Sequence, residues 1–372
     1  MKSIIEYAET EFRSFSEKPF CPVDSLILSQ LSYINFDSVV PAYMEGVETV
    51  RLADCLKSEH FTVMLGETRV PKKNKALLLA AAASPRFREI HMSAYVSEFD
   101  PEEEKQFSAV SYILPDNTVY IAFRGTDDTL VGWKEDLRLA FVFPVPSQTR
   151  ALAYLLEMAT RFSGDLMVGG HSKGGNLAVY SALAAPQSVQ RRIMRVYDHD
   201  GPGFKEGTLD SEGYRCIEDR IEKTVPQSSL IGMLLEGHKR YTVVESVRIG
   251  VMQHDPFSWK ISGDSFVTAE EVSDGAQYMN RTIHDWLGGL SAEEFSKFVD
   301  LLFNVLDAGD ARTFSEITQE WKRNFTAIFA AIRETDPEMR KFIAELMRDF
   351  AVLLLHNLRR KRNVPADLPS AD

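Results

Sequence analysis

The segment that most constrains the fold is residues 165–183, D-L-M-V-G-G-H-S-K-G-G-N-L-A-V-Y-S-A-L. Residues 166–168 form a short apolar run followed by two glycines, a pattern that predicts a buried strand. Residues 174–185 are rich in small and helix-forming side chains and predict a helix. A buried strand that leads directly into a helix is typical of an α/β sheet.

The turn between this strand and this helix is Gly170-His171-Ser172-Lys173-Gly174, a G-x-S-x-G sequence. In a strand-to-helix elbow, the glycines permit a sharp turn that leaves the serine hydroxyl at the head of the sheet. The backbone N–H of Lys173 then lies at a helix N-terminus, where it can donate to a developing oxyanion. G-x-S-x-G also occurs by chance, but the flanking strand and helix favour Ser172 as a nucleophile.

Strand and helix patterns alternate on both sides of the elbow. The predicted strands are 109–114, 118–123, 193–197, 221–225 and 241–249, and the predicted helices of this part are 24–33, 76–83 and 147–162. Pro115-Asp116-Asn117 between the first two strands is a hairpin signal. The alternation predicts an α/β sheet with helices on both faces. The apolar segment 228–235 is interpreted either as the mouth of a pocket or as a short packing helix.

Amphipathic helices replace this alternation in the last third of the chain. Capping boxes at Thr268-x-x-Glu271, Ser291-x-x-Glu294 and Thr313-x-x-Glu316 each open an apolar segment, and Asp336-Pro337 opens a fourth helix. The apolar residues at helical spacing are Ala276, Met279, Ile283 and Trp286, then Phe295, Phe298, Val299 and Leu302, and later Phe342, Ile343, Leu346, Met347 and Phe350.

We therefore divide the chain into a sheet domain, residues 1–263, and a C-terminal helical module, residues 264–372. The module has no constellation of reactive side chains, so we expect it to cover apolar surface on the sheet domain or on a second subunit. The basic run 359–362 is interpreted as a solvated helix end that complements the helix dipole. Contact of this run with a membrane surface is the alternative.

Charge and cysteine content limit the classes of function. The formal net charge of −12 argues against nucleic acid as a partner, because a polyanion would be repelled. The N-terminus has acidic residues where a signal peptide needs an apolar stretch, and no segment is apolar over the length of a bilayer. Cys21, Cys55 and Cys216 are odd in number and widely spaced, against a disulfide framework or a zinc site. We expect a cytoplasmic protein that needs no metal or organic cofactor.

A serine hydroxyl needs a general base, which is held in turn by an acid. In enzymes built around this elbow, the nucleophile, the acid and the base follow in that order along the chain. His254 follows the last predicted strand and is the predicted base. The other histidines precede the elbow, adjoin the serine or fall in predicted helices and other loops: His60, His91, His171, His199, His238, His284 and His356.

An oxyanion hole needs a second donor besides the Lys173 amide. Residues 123–126, F-R-G-T, end an early strand, where the second N–H of such sites is found. Thr126 offers both its amide and its hydroxyl and is the predicted donor. Four further residues are interpreted as supports, by loop bracing or packing hydrogen bonds, rather than as reacting groups: Arg124, Trp133, Asp136 and Asn176.

These motifs resemble those of class 3 lipases. Residues 119–137 are similar to the F-R-G-T…D-W…D-L stretch of that family, and residues 168–178 to its G-H-S-x-G-G-x-L-A elbow. With D-G-P-G-F at 200–204 and Q-H-D-P-F-S-W at 253–259, the chain most resembles a bacterial family of lipase-like α/β-hydrolases. The resemblance covers residues 24–260. It implies an α/β-hydrolase fold, with a mostly parallel central sheet flanked by helices, and ester hydrolysis by the residues named above.

The acid is the least determined member of the triad. Class 3 lipases carry it just before a V-P that follows a later strand, where this chain has Lys223-Thr224-Val225-Pro226. Asp198 and Asp200 both end the strand after the elbow helix, and neighbouring strand ends are about 5 Å apart, within reach of the histidine. Asp200-Gly-Pro-Gly also looks like the turn that the acid opens in pancreatic-type lipases. We predict Asp200, with Asp198 and then Glu222 as alternatives.

The sequence thus predicts a cytoplasmic serine hydrolase that forms an acyl-enzyme from a carboxylic ester, such as an acylglycerol or a phospholipid. Two other readings stay open. One is a catalytically silent scaffold whose helical module binds a partner protein, and the other is a peptidase or thioesterase that uses the same triad. The sequence does not determine the acyl length, the head group or the oligomeric state.

Overall fold

The computed structural model describes residues 1–307, apart from positions 45, 47, 67, 69, 128, 140, 236 and 239, together with residues 341, 344, 345 and 348. The chain divides into two compact units, Met1–Val272 and Ser273–Asp372. Several predictions fall outside the described residues: the capping box at 313–316, the helix start at Asp336, the apolar positions from Phe342 to Phe350, His356 and the basic run 359–362.

An eight-stranded sheet runs through the first unit, with the strands in chain order from one edge to the other. The strands are β1 (Val50–Arg51), β2 (His91–Asp100), β3 (Lys105–Ile113), β4 (Val119–Phe123), β5 (Leu166–His171), β6 (Ile193–His199), β7 (Ile221–Pro226) and β8 (Thr242–Val244). Pairing is antiparallel from β1 to β4 and parallel from β4 to β8. This mixed and mostly parallel sheet is compatible with an α/β-hydrolase-like fold.

The connections explain the change from antiparallel to parallel pairing. The β3–β4 hairpin turns at residues 114–118, as predicted, and a short connection of this kind allows only antiparallel neighbours. A parallel neighbour needs a crossover, which helices supply between β4 and β5 and between β5 and β6. The predicted strand 241–249 is too long, because β8 ends at Val244. A short hairpin, β9 (Ile261–Ser262) and β10 (Ser265–Phe266), follows.

Helices flank the sheet. Those of the first unit are α1 (Ile4–Thr10), α2 (Pro22–Leu31), α3 (Phe61–Leu65), α4 (Pro71–Ala83), α5 (Leu130–Arg138), α6 (Pro146–Arg161), α7 (Lys173–Ala184), α8 (Gln187–Gln190) and α9 (Glu212–Arg215). Three of them, α2, α4 and α6, begin at a proline, whose fixed φ suits the first helical position and whose missing N–H has no partner there anyway. Short 3-10 turns lie at Leu52–Cys55, Ser58–His60, Thr208–Asp210, Glu218–Arg220, Gly250–His254 and Pro256–Ser258.

Each face of the sheet has its own hydrophobic core, because side chains alternate between the faces along a strand. On β4, Tyr120 lies in one core with residues of α1, α2 and α4, whereas Ile121 lies in the other with residues of α6 and α7. All residues of β4 and β5 are buried, as expected for strands covered on both faces. The elbow at the end of β5 therefore has a rigid base.

The second unit begins with two helices, α10 (Asp274–Gly288) and α11 (Ala292–Asp307). The capping box predicted at Ser291 is confirmed, since the Glu294 amide donates to Ser291 Oγ at 3.2 Å and the Ser291 amide to Glu294 Oε2 at 2.9 Å. The box predicted at Thr268 is wrong, because Ser273 is the N-cap of α10. Among the described residues, none of the helices combines the length and the apolar character needed to cross a bilayer.

Candidate active site

Ser172 occupies a strained turn between β5 and α7. Its backbone φ of 60° and ψ of −133° lie outside the regions that ordinary residues favour. Its amide donates to the His199 carbonyl at 2.9 Å, which ties the turn to β6. The glycines are required by space: a Cβ on Gly170 would lie 2.2 Å from the Gly174 carbonyl carbon, and one on Gly174 would lie 2.1 Å from the Phe123 oxygen. This is the elbow that the sequence predicted.

His254 lies beside Ser172 at the end of a 3-10 turn. Its Nε2 is 3.0 Å from Ser172 Oγ, and its side chain is 19% exposed. The carbonyl of His254 accepts a hydrogen bond of 2.9 Å from His171 Nε2, and the two rings lie 4.6 Å apart. The turn that carries His254 is also held by the buried Trp259, whose Nε1 donates to the Gln253 carbonyl at 2.8 Å. His171 therefore supports the backbone of His254 and does not itself contact the serine hydroxyl.

The Asp200 carboxylate lies next to His254, on the side of the ring away from Ser172. Its Oδ2 is 2.6 Å from His254 Nδ1, and the residue is fully buried. Its Oδ1 accepts from Ser229 Oγ at 2.5 Å and from the Gly232 amide at 3.1 Å. Because a carboxylate only accepts hydrogen bonds, Nδ1 of neutral His254 must carry the ring proton, which leaves Nε2 free to accept from Ser172.

The two alternative acids have other partners. Asp198 is buried and its Oδ2 lies 2.7 Å from Lys223 Nζ, while its Oδ1 accepts from the Gly201 amide at 2.8 Å. Burial raises the pKa of Asp198, and the charge of Lys223 opposes this shift. Glu222 forms a partly exposed ion pair of 3.0 Å with Arg195. Asp200 is thus the carboxylate among these three whose side chain contacts His254.

The loop that carries Thr126 lies against the elbow. A Cβ on Gly125 would be 2.5 Å from the His171 carbonyl oxygen and 3.1 Å from Ser172 Cβ. Thr126 is buried, and its hydroxyl donates to Asp136 Oδ2. The expectation that Thr126 offers two donors therefore needs a correction: its hydroxyl proton is held by Asp136, and its amide is the group left for an oxyanion. The Lys173 amide stands at the first position of α7, where a helix has no internal acceptor for it.

The remaining supports have structural partners. Arg124 lies 3.6 Å from Asp127 within the loop. Asn176 accepts from Gln148 Nε2 at 2.8 Å and donates to the carbonyls of Pro202 and Gly203, so it fixes the turn that follows Asp200. The side chain of Trp133 lies outside the described part of the structure.

Several apolar side chains that precede the histidine in the chain are exposed. Between β8 and His254, Val247, Ile249, Val251 and Met252 are exposed by 72%, 83%, 58% and 56%. The segment 228–235, which supplies the partners of Asp200, forms turns rather than a helix and contains partly exposed leucine, isoleucine and methionine side chains. We call Val247, Ile249, Val251 and Met252 the apolar rim; clusters of exposed apolar side chains are typical of binding surfaces.

The site contains groups that the motif analysis missed. Ser229 and Gly232, which hold Asp200, lie on an apolar segment without any motif. The side chain of Lys173 is buried against Glu135, whereas the elbow motif points only to the Lys173 amide. Within the described residues, no cluster of three or more His, Cys, Asp or Glu side chains is arranged to hold a metal ion.

Comparisons with known proteins place the chain in a family. A family model described as Mbeg1-like matches residues 81–304. A search of the curated proteins found no match. Among solved structures, the native Rhizomucor miehei lipase propeptide complex is similar, with 16% identity and a TM-score of 0.32. That match covers 46% of this chain and 66% of the other, slightly less than two thirds of its length.

Proposed function

Because the chain belongs to the Mbeg1-like family, which is lipase-related, and because Asp200, His254 and Ser172 are hydrogen-bonded in series, we propose that it is a serine hydrolase that cleaves a carboxylic ester. The series of two hydrogen bonds, 2.6 Å and 3.0 Å long, carries the proposal. The order Ser172, Asp200, His254 along the chain is that of α/β-hydrolases, and we assign the sheet to that fold.

In the first half of the reaction, Ser172 Oγ attacks the carbonyl carbon of the ester while His254 Nε2 takes the hydroxyl proton. The carbonyl oxygen becomes an oxyanion, to which the amides of Lys173 and Thr126 donate. Collapse of the tetrahedral intermediate breaks the bond to the alcohol oxygen, which receives the proton from His254. The product is an acyl-enzyme on Ser172 and a free alcohol.

In the second half, water attacks the acyl carbon and His254 Nε2 takes its proton. The bond to Ser172 Oγ then breaks, and Oγ recovers the proton from His254 as the carboxylic acid leaves. Asp200 acts throughout by holding the tautomer of His254 and by stabilising the imidazolium that forms. Both hydrogen bonds of Asp200 Oδ1 keep its other oxygen directed at the ring.

The apolar rim supports an ester with an extended acyl chain as the substrate. Val247, Ile249, Val251 and Met252 precede the catalytic histidine directly and expose most of their side-chain surface. Each methylene of an acyl chain that leaves water against such a surface contributes about 0.8 kcal/mol. We therefore propose a preference for lipid esters over acetate esters, with a thioester or a peptide bond as the competing substrate classes.

A panel of p-nitrophenyl esters from acetate to palmitate tests the proposal, with acyl-thioester and peptide substrates as further arms. Ser172→Ala, purified in the same way, measures contaminating esterase. The proposal requires turnover that this variant loses and kcat/KM values that rise with chain length before they level off. Turnover equal to that of Ser172→Ala on every substrate would instead support the silent scaffold.

A further inference from the structure

The side chain of the residue next to the nucleophile is directed into the protein. Lys173 is fully buried, and its Nζ donates to the Gln106 carbonyl at 2.7 Å, to Gln106 Oε1 at 3.1 Å and to Glu135 Oε2 at 2.9 Å. All three ammonium protons therefore have acceptors, one of which is a carboxylate. The proposed reaction uses only the backbone amide of Lys173, so the buried charge needs another explanation.

Glu135 links this ammonium to three other elements. It lies on α5 with its side chain 1% exposed. Its Oε1 accepts from the Ser147 amide at 2.9 Å, and its Oε2 accepts from Ser147 Oγ at 2.8 Å and from the Gln106 amide at 3.2 Å. Since Ser147 lies in the first turn of α6 and Gln106 lies on β3, the Lys173–Glu135 pair joins α7, α5, α6 and β3 at one point.

A buried ion pair rarely adds net stability over an apolar pair of similar volume. Its place in this fold suggests what it does instead. The residue after Glu135 is Asp136, which accepts the hydroxyl of Thr126. Helix α5 thus holds Thr126 through Asp136, and Glu135 holds α5 to Lys173. The two amides proposed to bind the oxyanion, those of Lys173 and Thr126, are connected through this chain of contacts.

We propose that Lys173 and Glu135 are positioning residues for the oxyanion hole: their ion pair fixes the loop of Thr126 relative to the elbow of Ser172. This inference rests on the proposed serine hydrolase function and adds a role for two side chains outside the triad. Errors of about 1 Å in such sites cost roughly 100-fold in rate. A rigid, fully desolvated connection between the two donors therefore raises the reaction rate, because it keeps both amides in place for the oxyanion.

The charges around Asp136 provide a signature that packing alone would not give. The pKa of Asp136 is raised to about 6, chiefly by burial; the cation of Lys173 and the hydrogen bond from Thr126 oppose this rise, and the carboxylates of Glu135 and Asp127 add to it. Among these effects the lowering by Lys173 exceeds the raising by Glu135. The ionised carboxylate of Asp136 accepts the Thr126 hydroxyl more strongly than the protonated acid does, so we expect the Thr126 loop to loosen and activity to fall as the pH drops through the pKa of Asp136.

Three variants distinguish a positioning role of the Lys173–Glu135 ion pair from a role in packing alone. In Lys173→Met the pKa of Asp136 rises, so the acid limb of kcat moves to higher pH. In Glu135→Gln that pKa falls, so the acid limb moves to lower pH. Lys173→Met/Glu135→Gln removes both charges, and because Lys173 lowers the pKa of Asp136 more than Glu135 raises it, the limb moves to higher pH. His254 must also be unprotonated in every variant, so the diagnostic is the displacement between variants.

The proposal predicts that kcat falls about 10- to 100-fold in the double variant with little change in KM, because oxyanion donors act in the transition state. The melting temperature should recover relative to Lys173→Met, since no buried charge is left unpaired. A double variant with the kcat and pH profile of the wild type would overturn the proposal, as would acid limbs that move in the same direction in both single variants. If the double variant does not fold, Glu135→Gln carries the test, because it is isosteric and keeps an acceptor for Ser147.

Amide hydrogen exchange of a peptide covering residues 123–129 gives a readout that does not depend on turnover. Faster exchange in Glu135→Gln, with a peptide from β6 unchanged, is the expected result. If the wild type shows no turnover but this exchange rises, the proposed function fails and the positioning role stands. If the wild type turns over and both exchange and kcat are unchanged in the variant, the positioning role fails and the function stands.

Discussion

Asp198 and Asp200 are two residues apart in the chain, but their carboxylates face different partners. Asp200 Oδ2 lies 2.6 Å from His254 Nδ1, whereas Asp198 Oδ2 lies 2.7 Å from Lys223 Nζ. The strand ends at His199, and Asp200 has a φ of 55°, so the chain turns between the two carboxylates. Lys223, on the neighbouring strand β7, neutralises Asp198.

The first prediction follows from this difference. Asp200→Asn should lower kcat about 10⁴-fold, because the wrong tautomer of His254 is then favoured, with little change in stability. Asp198→Asn should instead lower the free energy of unfolding by about 3–5 kcal/mol, because Lys223 keeps a buried charge without its partner. Ester kinetics and urea unfolding of both variants check this. A stable Asp198→Asn with the larger loss of kcat would transfer the role of the acid to Asp198.

The second prediction concerns stability in acid. His199 is fully buried between Ser25 and Thr224, and burial lowers its pKa to about 3. Between that pKa and the unfolded value of about 6.5, the unfolded chain binds more protons than the folded one, so stability falls as the pH is lowered. When the pH is lowered from about 7 to about 5, His199 alone should lower the free energy of unfolding by about 2 kcal/mol.

Urea unfolding at the two pH values measures this loss. His199→Gln should reduce the loss by about 2 kcal/mol relative to the wild type, whatever its effect at neutral pH. The control is His284→Gln, since the His284 side chain is 74% exposed and its removal should leave the pH dependence unchanged. Equal pH dependence in the wild type and His199→Gln would contradict this prediction, because it would show that His199 binds a proton equally well in the folded and the unfolded chain.

The third prediction tests the apolar rim. Ile249→Asp should lower kcat/KM for a palmitate ester roughly 10-fold or more, since about two methylene contacts at about 0.8 kcal/mol each are lost. The acetate ester should be affected little, and the fold should be unaffected because Ile249 is 83% exposed. Met194→Asp is the control: Met194 is exposed and lies near the start of β6, at the other end from Asp200. Equal loss on both esters would mean that the rim does not bind the acyl chain.

Local geometry made the elbow predictable from the sequence. Gly170 and Gly174 are the residues that the close backbone contacts require, and the order of the triad along the chain selected His254. Strand β2 was not predicted, because its sequence mixes buried Ser93 and Ala94 with partly buried Glu98 and an exposed Phe99, and shows no clean alternation of polar and apolar residues. The predicted strand 241–249 was too long because Val247 and Ile249, which look like strand residues, are exposed at the site.

Contacts between residues far apart in the chain explain the features that the sequence did not predict. The capping-box pattern at Thr268 was misleading because Thr268 forms an isolated antiparallel bridge with Val244. The burial of Lys173 could not be inferred from its neighbours, since its carboxylate partner Glu135 is far away in the chain and reaches it only after α5 packs. A lysine within a run of small, buried residues was the available signal.

The most direct test of the central claim is covalent labelling of the nucleophile. The wild type is treated with a fluorophosphonate probe and analysed by intact-protein mass spectrometry, beside Ser172→Ala, His254→Gln and heat-unfolded wild type. We expect one probe per wild-type chain, located at Ser172 by peptide mapping, and none on Ser172→Ala or on the unfolded protein; His254→Gln should label far more slowly. A wild type that takes up no probe, or a Ser172→Ala variant that labels at the wild-type rate, would contradict the assignment of Ser172 as the nucleophile of a hydrolase.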